Sequence, residues 1–310
     1  MKTDLIIEEL AAQMEGLQII KDAPMKEYTS FKAGGRAALL IVPDSIDKLQ
    51  YAVKRVSAAG LPYYIMGNGT NILVKDGGYS GVIIKIGKAL GGIRADGDRI
   101  LADAGALLKD VSGAAAEKGL TGLEFASGIP GSIGGAAYMN AGAYDGDMSK
   151  VVGKVAAMKT DGSENVQFSA DEMNYGYRSS RLMEEAAIVL SVELQLKEGI
   201  EKEIKEKVAD YDERRRLKQP LDFPSAGSFF KRPPGNFAGT LIEKAGLKGM
   251  KVGGAMVSPL HAGFIVNTGG ATAAHILGLM KLVQGRVYES SGIMLEPEVR
   301  IIGNDEGRGK

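Results

Sequence analysis

The stretch "GLTGLEFASGIPGSIGGAAYMNAGAYDGD", residues 119–147, is rich in glycine and alanine and almost uncharged until its last residues. Side chains this small let a backbone come close to a flat ligand or to another backbone. Glycine is abundant in the whole chain, 43 of 310 residues, and it is clustered rather than spread. Clustering of that kind points to backbone-lined ligand loops more than to low complexity.

Working outward, the chain before this stretch is punctuated into elements. "AALLIV" (37–42) and Pro43 precede a helix start at Asp44 or Ser45, apolar Ile46, Leu49, Val53 and Val56, and a stop at Gly60, which predicts strand then helix. "LPYYIMG" and "GVIIKIG" supply two more strands, with "GNGTN" (67–71) as the loop after the first of them. "IRADGDRILADAG" places a DG turn between alternating segments and predicts a hairpin, followed by a helix near 106–118. After the glycine-rich stretch come a second DG hairpin at Asp161-Gly162, a strand over 186–196 and a highly charged helix over about 200–218. Beyond Pro220 the pattern reads helix, strand, strand, helix, strand, a small α+β unit.

At this length two cores are expected, each large enough to stand without staples. Lys+Arg and Asp+Glu both total 38, so there is no global field to draw in nucleic acid or an anionic membrane. The absence of cysteine rules out disulfides, thiolate nucleophiles and cysteine-held metals, and two histidines leave little for a metal centre or histidine triad. The N-terminal "MKTDLIIEELAAQMEG" mixes acids into its apolar pattern and reads as a docking helix rather than a signal peptide. No run reaches membrane-spanning length. These features together suggest a cytoplasmic protein, with no membrane insertion and no nucleic-acid partner.

Two loops suit an anion held by consecutive backbone N–H groups. "GNGTN" offers Gly67 and Gly69 for close approach, with Asn68, Thr70 and Asn71 as side-chain partners. In "SGIPGSIGGAAYMNAGAY" (127–144), Gly131, Ser132, Gly134 and Gly135 would wrap a diphosphate while small side chains lie against a ring. A tight turn or close packing competes with this reading at each loop. Neither loop is G-x-G-x-x-G, because Ile72 stands where a third glycine is needed, so a Rossmann nicotinamide site is not indicated.

"YTSFKAGGRA", "MGNGTNILV", "GIPGSIGGAAYMNAGAYDGDM", "YGYRSSRL", "SAGSFFKRP", "AGTLIEKAGLKG", "GGAMVSPLHAGFIVN" and "LEPEVRIIG" follow one another over nearly the whole chain. In this order they resemble the UDP-N-acetylenolpyruvoylglucosamine reductases, flavoenzymes of peptidoglycan precursor synthesis. The resemblance implies an α+β protein with a two-lobed FAD-binding domain of the vanillyl-alcohol-oxidase-like (PCMH) type, over 1–218. Its lobes are expected at about 1–90 and 91–200, with the connector helix at about 200–218. A smaller α+β substrate-binding domain would follow over 219–310. The resemblance assigns both glycine loops to non-covalent FAD, with Asn140 and Gly142 included. One branch of the family carries a tyrosine-bearing loop between the YR and GSFF motifs. Only a strand and the charged helix lie between Leu182 and Ser225 here, which places the chain in the short branch.

The implied reaction has two stages: NADPH reduces FAD and leaves, then hydride passes to the enolpyruvyl ether of a UDP-sugar. Hydride at the terminal carbon leaves negative charge beside the carboxylate, which calls for fixed charge and a proton donor. Ser228 matches the family's proton donor in "GSFF". Gly227 allows close approach, and Phe229 and Phe230 are read as excluding water. Arg178 matches the arginine that holds the substrate carboxylate, a task suited to a planar fork, whereas Arg181 fits a surface ion pair better. "MLEPEVRIIG" puts Met294, Glu296, Glu298 and Arg300 on one face and Leu295, Pro297, Val299 and Ile301 on the other. Glu298 matches the family's catalytic glutamate, while alternation alone does not separate it from Glu296, for which pairing with Arg300 is the plainer role. Lys231, Asn236, Lys244 and Lys248 are candidates for the UDP portion, and His261 and His275 read as structural.

Two other readings stand beside this one. A flavin oxidase of the same fold commonly tethers its flavin through Cys or His, and here there is no cysteine and neither histidine lies near the loops. A non-catalytic flavin or UDP-sugar sensor has no use for Ser228, Arg178 and Glu298 together. The substrates expected are UDP-N-acetylglucosamine enolpyruvate and NADPH; the sequence does not set the oligomeric state, and a monomer is favoured.

Overall fold

The structure is a computed structural model, and it describes residues 2–305. Residue 1 and residues 306–310, the outer ends of the two expected domains, lie outside the described residues. Two compact units make up the chain. The first takes in the chain up to Ile20, Leu39–Asn68 and Gly81–Arg215; the second takes in Lys21–Ala38, Gly69–Ser80 and the chain from Arg216 onward. These units interleave, whereas the expected domains, 1–218 and 219–310, are continuous in sequence.

In the first unit, helix α1 (Lys2–Gln13) buries Ile6 and Leu10, the docking helix that its acid-studded pattern predicts. Helix α2 (Ile46–Ala58) starts where Ser45 Oγ accepts the Lys48 N–H at 3.2 Å, and buries Leu49, Ala52, Val53 and Val56. An N-cap of this kind is worth about 1 kcal/mol. The strands on either side of the next loop, Tyr63–Met66 and Tyr79–Lys85, pair in parallel with Tyr63 opposite Val82.

A five-stranded antiparallel sheet fills the rest of this core. Its order is Asn165–Ser169, Val152–Lys159, Ala187–Gln195, Arg99–Asp103, Ile93–Asp96. Both predicted hairpins are present. The first turns on Gly97-Asp98, because Asp96 pairs with Arg99 and only Gly97 (φ +57) needs the left-handed region, as in a glycine-first two-residue turn. Helix α3 (Leu108–Glu117) and the short helix α4 (Ile133–Met139) lie against this sheet, and Gly134 is a glycine because a Cβ there would come 2.7 Å from Ala104 Cβ. The single turn α5 (Arg181–Glu184) and the charged helix α6 (Glu201–Lys218) complete the run. Between Leu182 and Ser225 lie the end of α5, the strands Ala187–Gln195 and Lys197–Glu198, and α6, where the sequence predicts only one strand and the helix.

The second unit has its own core, in which Phe31, Leu73, Phe229, Phe230, Leu241, Ile242, Leu279 and Val283 pack together. Its four-stranded antiparallel sheet runs Ser225–Ser228, Phe264–Asn267, Ala255–Val257, Lys251–Val252. Helices α7 (Ala238–Lys244) and α8 (Ala273–Ser291) cover it. His275 closes a capping box with Thr272 at the start of α8, and His261 Nδ1 accepts the Gly263 N–H at 3.1 Å, so both histidines are structural, as expected.

One predicted strand is shorter than its pattern. Residues 294–302 keep the alternating exposure, with Leu295 and Val299 buried and Met294, Glu296 and Arg300 exposed, but only Arg300–Ile302 is a strand, parallel to Ile72–Val74. The preceding residues are extended yet bond to a non-adjacent strand end, through Glu296 and Glu298, rather than to a continuous ladder.

Candidate active site

In the second unit the strand Ser225–Ser228 carries a bulge. Ser225 pairs with Val266 and Ser228 with Phe264, so the register slips between them. Gly227 sits in the slip at φ +76 with open space around its Cβ position, so glycine is required there by conformation and not by crowding. A bulge re-aims the next side chain. Ser228 is exposed, whereas Ala226, Phe229 and Phe230 on either side are buried. The two phenylalanines do not form a wall around the serine, as the sequence suggests. Phe229 meets Phe31 edge-on at 6.1 Å and Phe230 at 5.2 Å, so they root the strand in the core and hold Ser228 steady from below.

Glu298 is stitched to this strand. Its N–H donates to the Phe229 carbonyl at 2.8 Å, and its carbonyl accepts Asn71 Nδ2 at 3.3 Å. The Arg300 N–H donates to the Asn71 carbonyl at 3.0 Å. Three residues far apart in sequence, Asn71, Ser228 and Glu298, are thus brought together. Glu296 has another partner: its carbonyl accepts the Lys231 N–H at 2.8 Å and its carboxylate takes the Lys231 ammonium at 3.1 Å. Glu296 is ion-paired, as its plainer role has it, and the partner is Lys231. Lys248 pairs with Glu243 at 2.7 Å, Asn236 Nδ2 bonds the Pro234 carbonyl at 3.3 Å, and Lys244 ends α7 in an exposed position.

In the first unit the two glycine loops meet. Asn68 Nδ2 donates to the Pro130 carbonyl at 2.7 Å, and a Cβ on Gly67 would collide with Ser132 Oγ. Ser132 also caps α4, accepting the Gly135 N–H at 3.4 Å. Lys85 Nζ donates to the Gly67 carbonyl at 3.2 Å, and burial holds its pKa below the ordinary lysine value. Gly131, Gly135 and Gly142 line the same run, with Gly142 in a two-residue pairing with Asp147. On the second unit's share of the first loop, Gly69 (φ +69) lies against the Tyr28 carbonyl, so that a side chain is excluded, and Thr70 follows it.

Arg178 crowns a four-residue turn closed by reciprocal bonds between Gly176 and Ser179, 3.2 and 3.3 Å. Its φ of +53 is left-handed, and so is that of Asn140 (φ +46), the residue that ends α4. Each such non-glycine residue stores about 1–3 kcal/mol, kept only where surroundings over-determine it. Here they do: Asn140 Nδ2 donates to the Gly176 carbonyl at 2.9 Å, Asn140 Oδ1 accepts the Ser149 N–H at 3.0 Å, and Arg178 Nη1 donates to the Asn140 carbonyl at 3.3 Å. The helix capped by Ser132 at one end therefore fixes Arg178 from the other. Arg181 is, as expected, a surface pair, with Glu185 at 2.6 Å.

Family models match two parts of the chain: an FAD binding domain over residues 37–164, and the C-terminal domain of UDP-N-acetylenolpyruvoylglucosamine reductase over 219–302. A UDP-N-acetylenolpyruvoylglucosamine reductase from Alkaliphilus oremlandii is 48% identical over 93% of this chain and 94% of its own. The chain belongs to the UDP-N-acetylenolpyruvoylglucosamine reductase family. A reductase of that name from Clostridium perfringens is equally similar, 48% identical over 93% of this chain and 94% of its own. A solved reductase of the family from Thermus caldophilus superposes with a TM-score of 0.77, at 37% identity, over 92% of this chain and 98% of its own. The α+β fold with an FAD-binding domain is that of the family, as the sequence implied. Among the described residues no helix is long and apolar enough to cross a membrane.

One residue with a place at the site was missed in the sequence. Arg215 of α6 lies against Gly128, with its Nε 2.8 Å from where a Cβ would be. The available signal was its spacing from Ile204, Val208 and Tyr211, which makes it a member of an otherwise apolar stripe.

Proposed function

We propose that this chain reduces the enolpyruvyl ether of UDP-N-acetylglucosamine enolpyruvate to UDP-N-acetylmuramate, at the expense of NADPH, in the cytoplasm where both nucleotides are found. The observation that carries this reading is the bond from the Glu298 N–H to the Phe229 carbonyl, which ties the glutamate to the residue after Ser228. FAD, when bound, supplies the hydride. The residues present suit it: Gly67 is pressed on Ser132, Gly69 admits no side chain, and a buried arginine stands against the second loop. Residues 1–218 are proposed as the FAD-binding domain. Gly67, Asn68, Gly69, Thr70, Asn71, Gly131, Ser132, Gly134, Gly135, Asn140 and Gly142 would hold or shape its cofactor site. Residues 219–310 are proposed as the substrate domain, in which Lys231, Asn236, Lys244 and Lys248 serve the UDP portion. Lys231 would exchange Glu296 for a ligand phosphate.

As hydride reaches the terminal carbon, the carbon beside the carboxylate becomes negative and delocalises that charge as an enolate. Arg178, pinned by Asn140, offers a fixed guanidinium fork to the carboxylate, with its orientation set before reaction. Ser228 gives its proton to the enolate carbon. A hydroxyl is a weak acid, but an enolate carbon is a strong enough base to take its proton when the two are aligned. Glu298 assists by stabilising the donor side of the transfer.

Purified protein is expected to be yellow, and acid to release free FAD; colourless protein that takes up no FAD would falsify the cofactor assignment. Arg178→Lys keeps the charge and loses the fork, so turnover should fall by about 10- to 100-fold, with flavin reduction by NADPH untouched. Equal losses in both stages would remove Arg178 from the carboxylate.

A further inference from the structure

Helix α6 carries a charge where its spacing calls for an apolar side chain. Ile204, Val208, Tyr211 and Arg215 recur at intervals of four, three and four, and they are the least exposed positions of the helix. Arg215 is only 8% exposed, and its Nε is buried with no hydrogen-bond partner among the described residues. A guanidinium stays protonated at any working pH, and a buried charge is stable only when something compensates it.

The surroundings indicate what that is. Gly128 lies under the guanidinium, with a Cβ position 2.8 Å from Nε and 3.0 Å from Cζ, so glycine there makes room for the cation. Asp212, one turn back on α6, is engaged by Ser127 Oγ at 2.8 Å. Tyr144, at the far end of the glycine loop, stacks on Tyr211 with ring centres 4.3 Å apart and donates its hydroxyl to the Tyr211 carbonyl at 2.6 Å. The helix therefore grips the loop at both ends, through Asp212 and Tyr211, and Arg215 follows about one turn on, against Gly128. At the same loop, Asn68 reaches the Pro130 carbonyl and Gly67 abuts Ser132, and the Gly67 carbonyl is held by Lys85.

We propose that Arg215 is the built-in counter-charge of an anionic group bound at the 127–132 loop, and that this group is the diphosphate of the dinucleotide. The proposal rests on the FAD reading and deepens it. Backbone N–H groups alone do not complete the site; a cation carried in by the connector helix does. Binding of the cofactor and seating of α6 are then the same event, because the charge that is unsatisfied in the apoprotein becomes paired in the holoprotein.

The test is a titration of apoprotein, prepared by acid release and refolding, with FAD and with riboflavin, which has the same ring and no phosphate. R215M should weaken FAD binding by about 10- to 100-fold, the range for losing a charged hydrogen-bonding partner. Riboflavin should bind R215M and wild type alike, and R215K should recover most of the FAD affinity. FAD bound equally by R215M and wild type overturns the proposal. So does a parallel loss for FAD and riboflavin, which would make Arg215 a packing residue of the loop. If R215M does not fold, the melting temperature of wild-type apoprotein with inorganic pyrophosphate decides: a rise abolished in R215Q supports the proposal, and no rise overturns it. Wild-type chain that takes up no FAD overturns the flavin reading itself, and this proposal with it.

Discussion

Replacing Ser228 with alanine should leave reduction of the bound flavin by NADPH unchanged and slow its reoxidation by the enolpyruvyl UDP-sugar by about 10²- to 10⁴-fold, the usual worth of a positioned proton donor. The two stages separate cleanly because the proton is needed only after hydride has reached the substrate. Ser228 is exposed, and the bulge at Gly227 and the burial of Phe229 are independent of its hydroxyl. Folding should therefore be unaffected, within about 0.5 kcal/mol. Anaerobic stopped-flow reads both stages in one instrument. Should the two stages lose rate equally, the serine is part of the scaffold and the proton comes from elsewhere.

The order of elements is readable in the sequence because each is fenced by local chemistry. Pro43, Ser45 and Gly60 delimit α2, and three of its predicted apolar residues, Leu49, Val53 and Val56, are buried, with Ala52 joining them and Ile46 half-buried. The alternation of "MLEPEVRIIG" predicts the burial of Leu295 and Val299 and the exposure of Met294, Glu296 and Arg300, whereas Pro297, Glu298 and Ile301 are all half-buried. It does not predict the strand, because a strand depends on the partner, and the partner here is Ile72–Val74, far away in the chain. The same cause hides the interleaving of the two units. Asn71 and Glu298 are 227 positions apart, and nothing within either segment announces the other.

Arg215 was hidden for a different reason. Helix α6 is so heavily charged that its mean hydropathy suggests a solvated connector, and an arginine among three consecutive ones, Arg214 to Arg216, attracts no notice. Position distinguishes it: Arg214 reaches back to Asp210 at 2.7 Å on the solvent side, while Arg215 turns inward to Gly128. A buried charge is marked by where it stands in the helical repeat, and composition averages that away. Conversely, the phenylalanines of "GSFF" were conspicuous and their role was misread, because hydrophobic bulk beside a reactive group can dry it or anchor it. Burial of both rings, Phe229 against Phe31 and Phe230 against Phe229, identifies anchoring.

Glu298→Gln should lower turnover by about 10²-fold or more, and Glu296→Gln should leave turnover close to wild type while changing the KM for the UDP-sugar. The two residues share a face, so their difference lies in what holds them. The Glu298 backbone is fixed on both sides, by Phe229 and by Asn71, so its carboxylate projects from a rigid mount one residue away from the serine's strand end. Glu296 is 71% exposed at its side chain and spends its charge on Lys231, itself 46% exposed, a pair that solvent screens and that contributes little to stability. Neutralising Glu296 frees the Lys231 ammonium for a ligand phosphate, so KM should fall if Lys231 serves the UDP portion. Glutamine at 298 keeps the shape and both backbone bonds but cannot carry the charge or share a proton with the donor. A loss in turnover at 296 that exceeds the loss at 298 would move the catalytic assignment to the glutamate paired with Lys231, and with it the lysine from substrate binding to the chemistry.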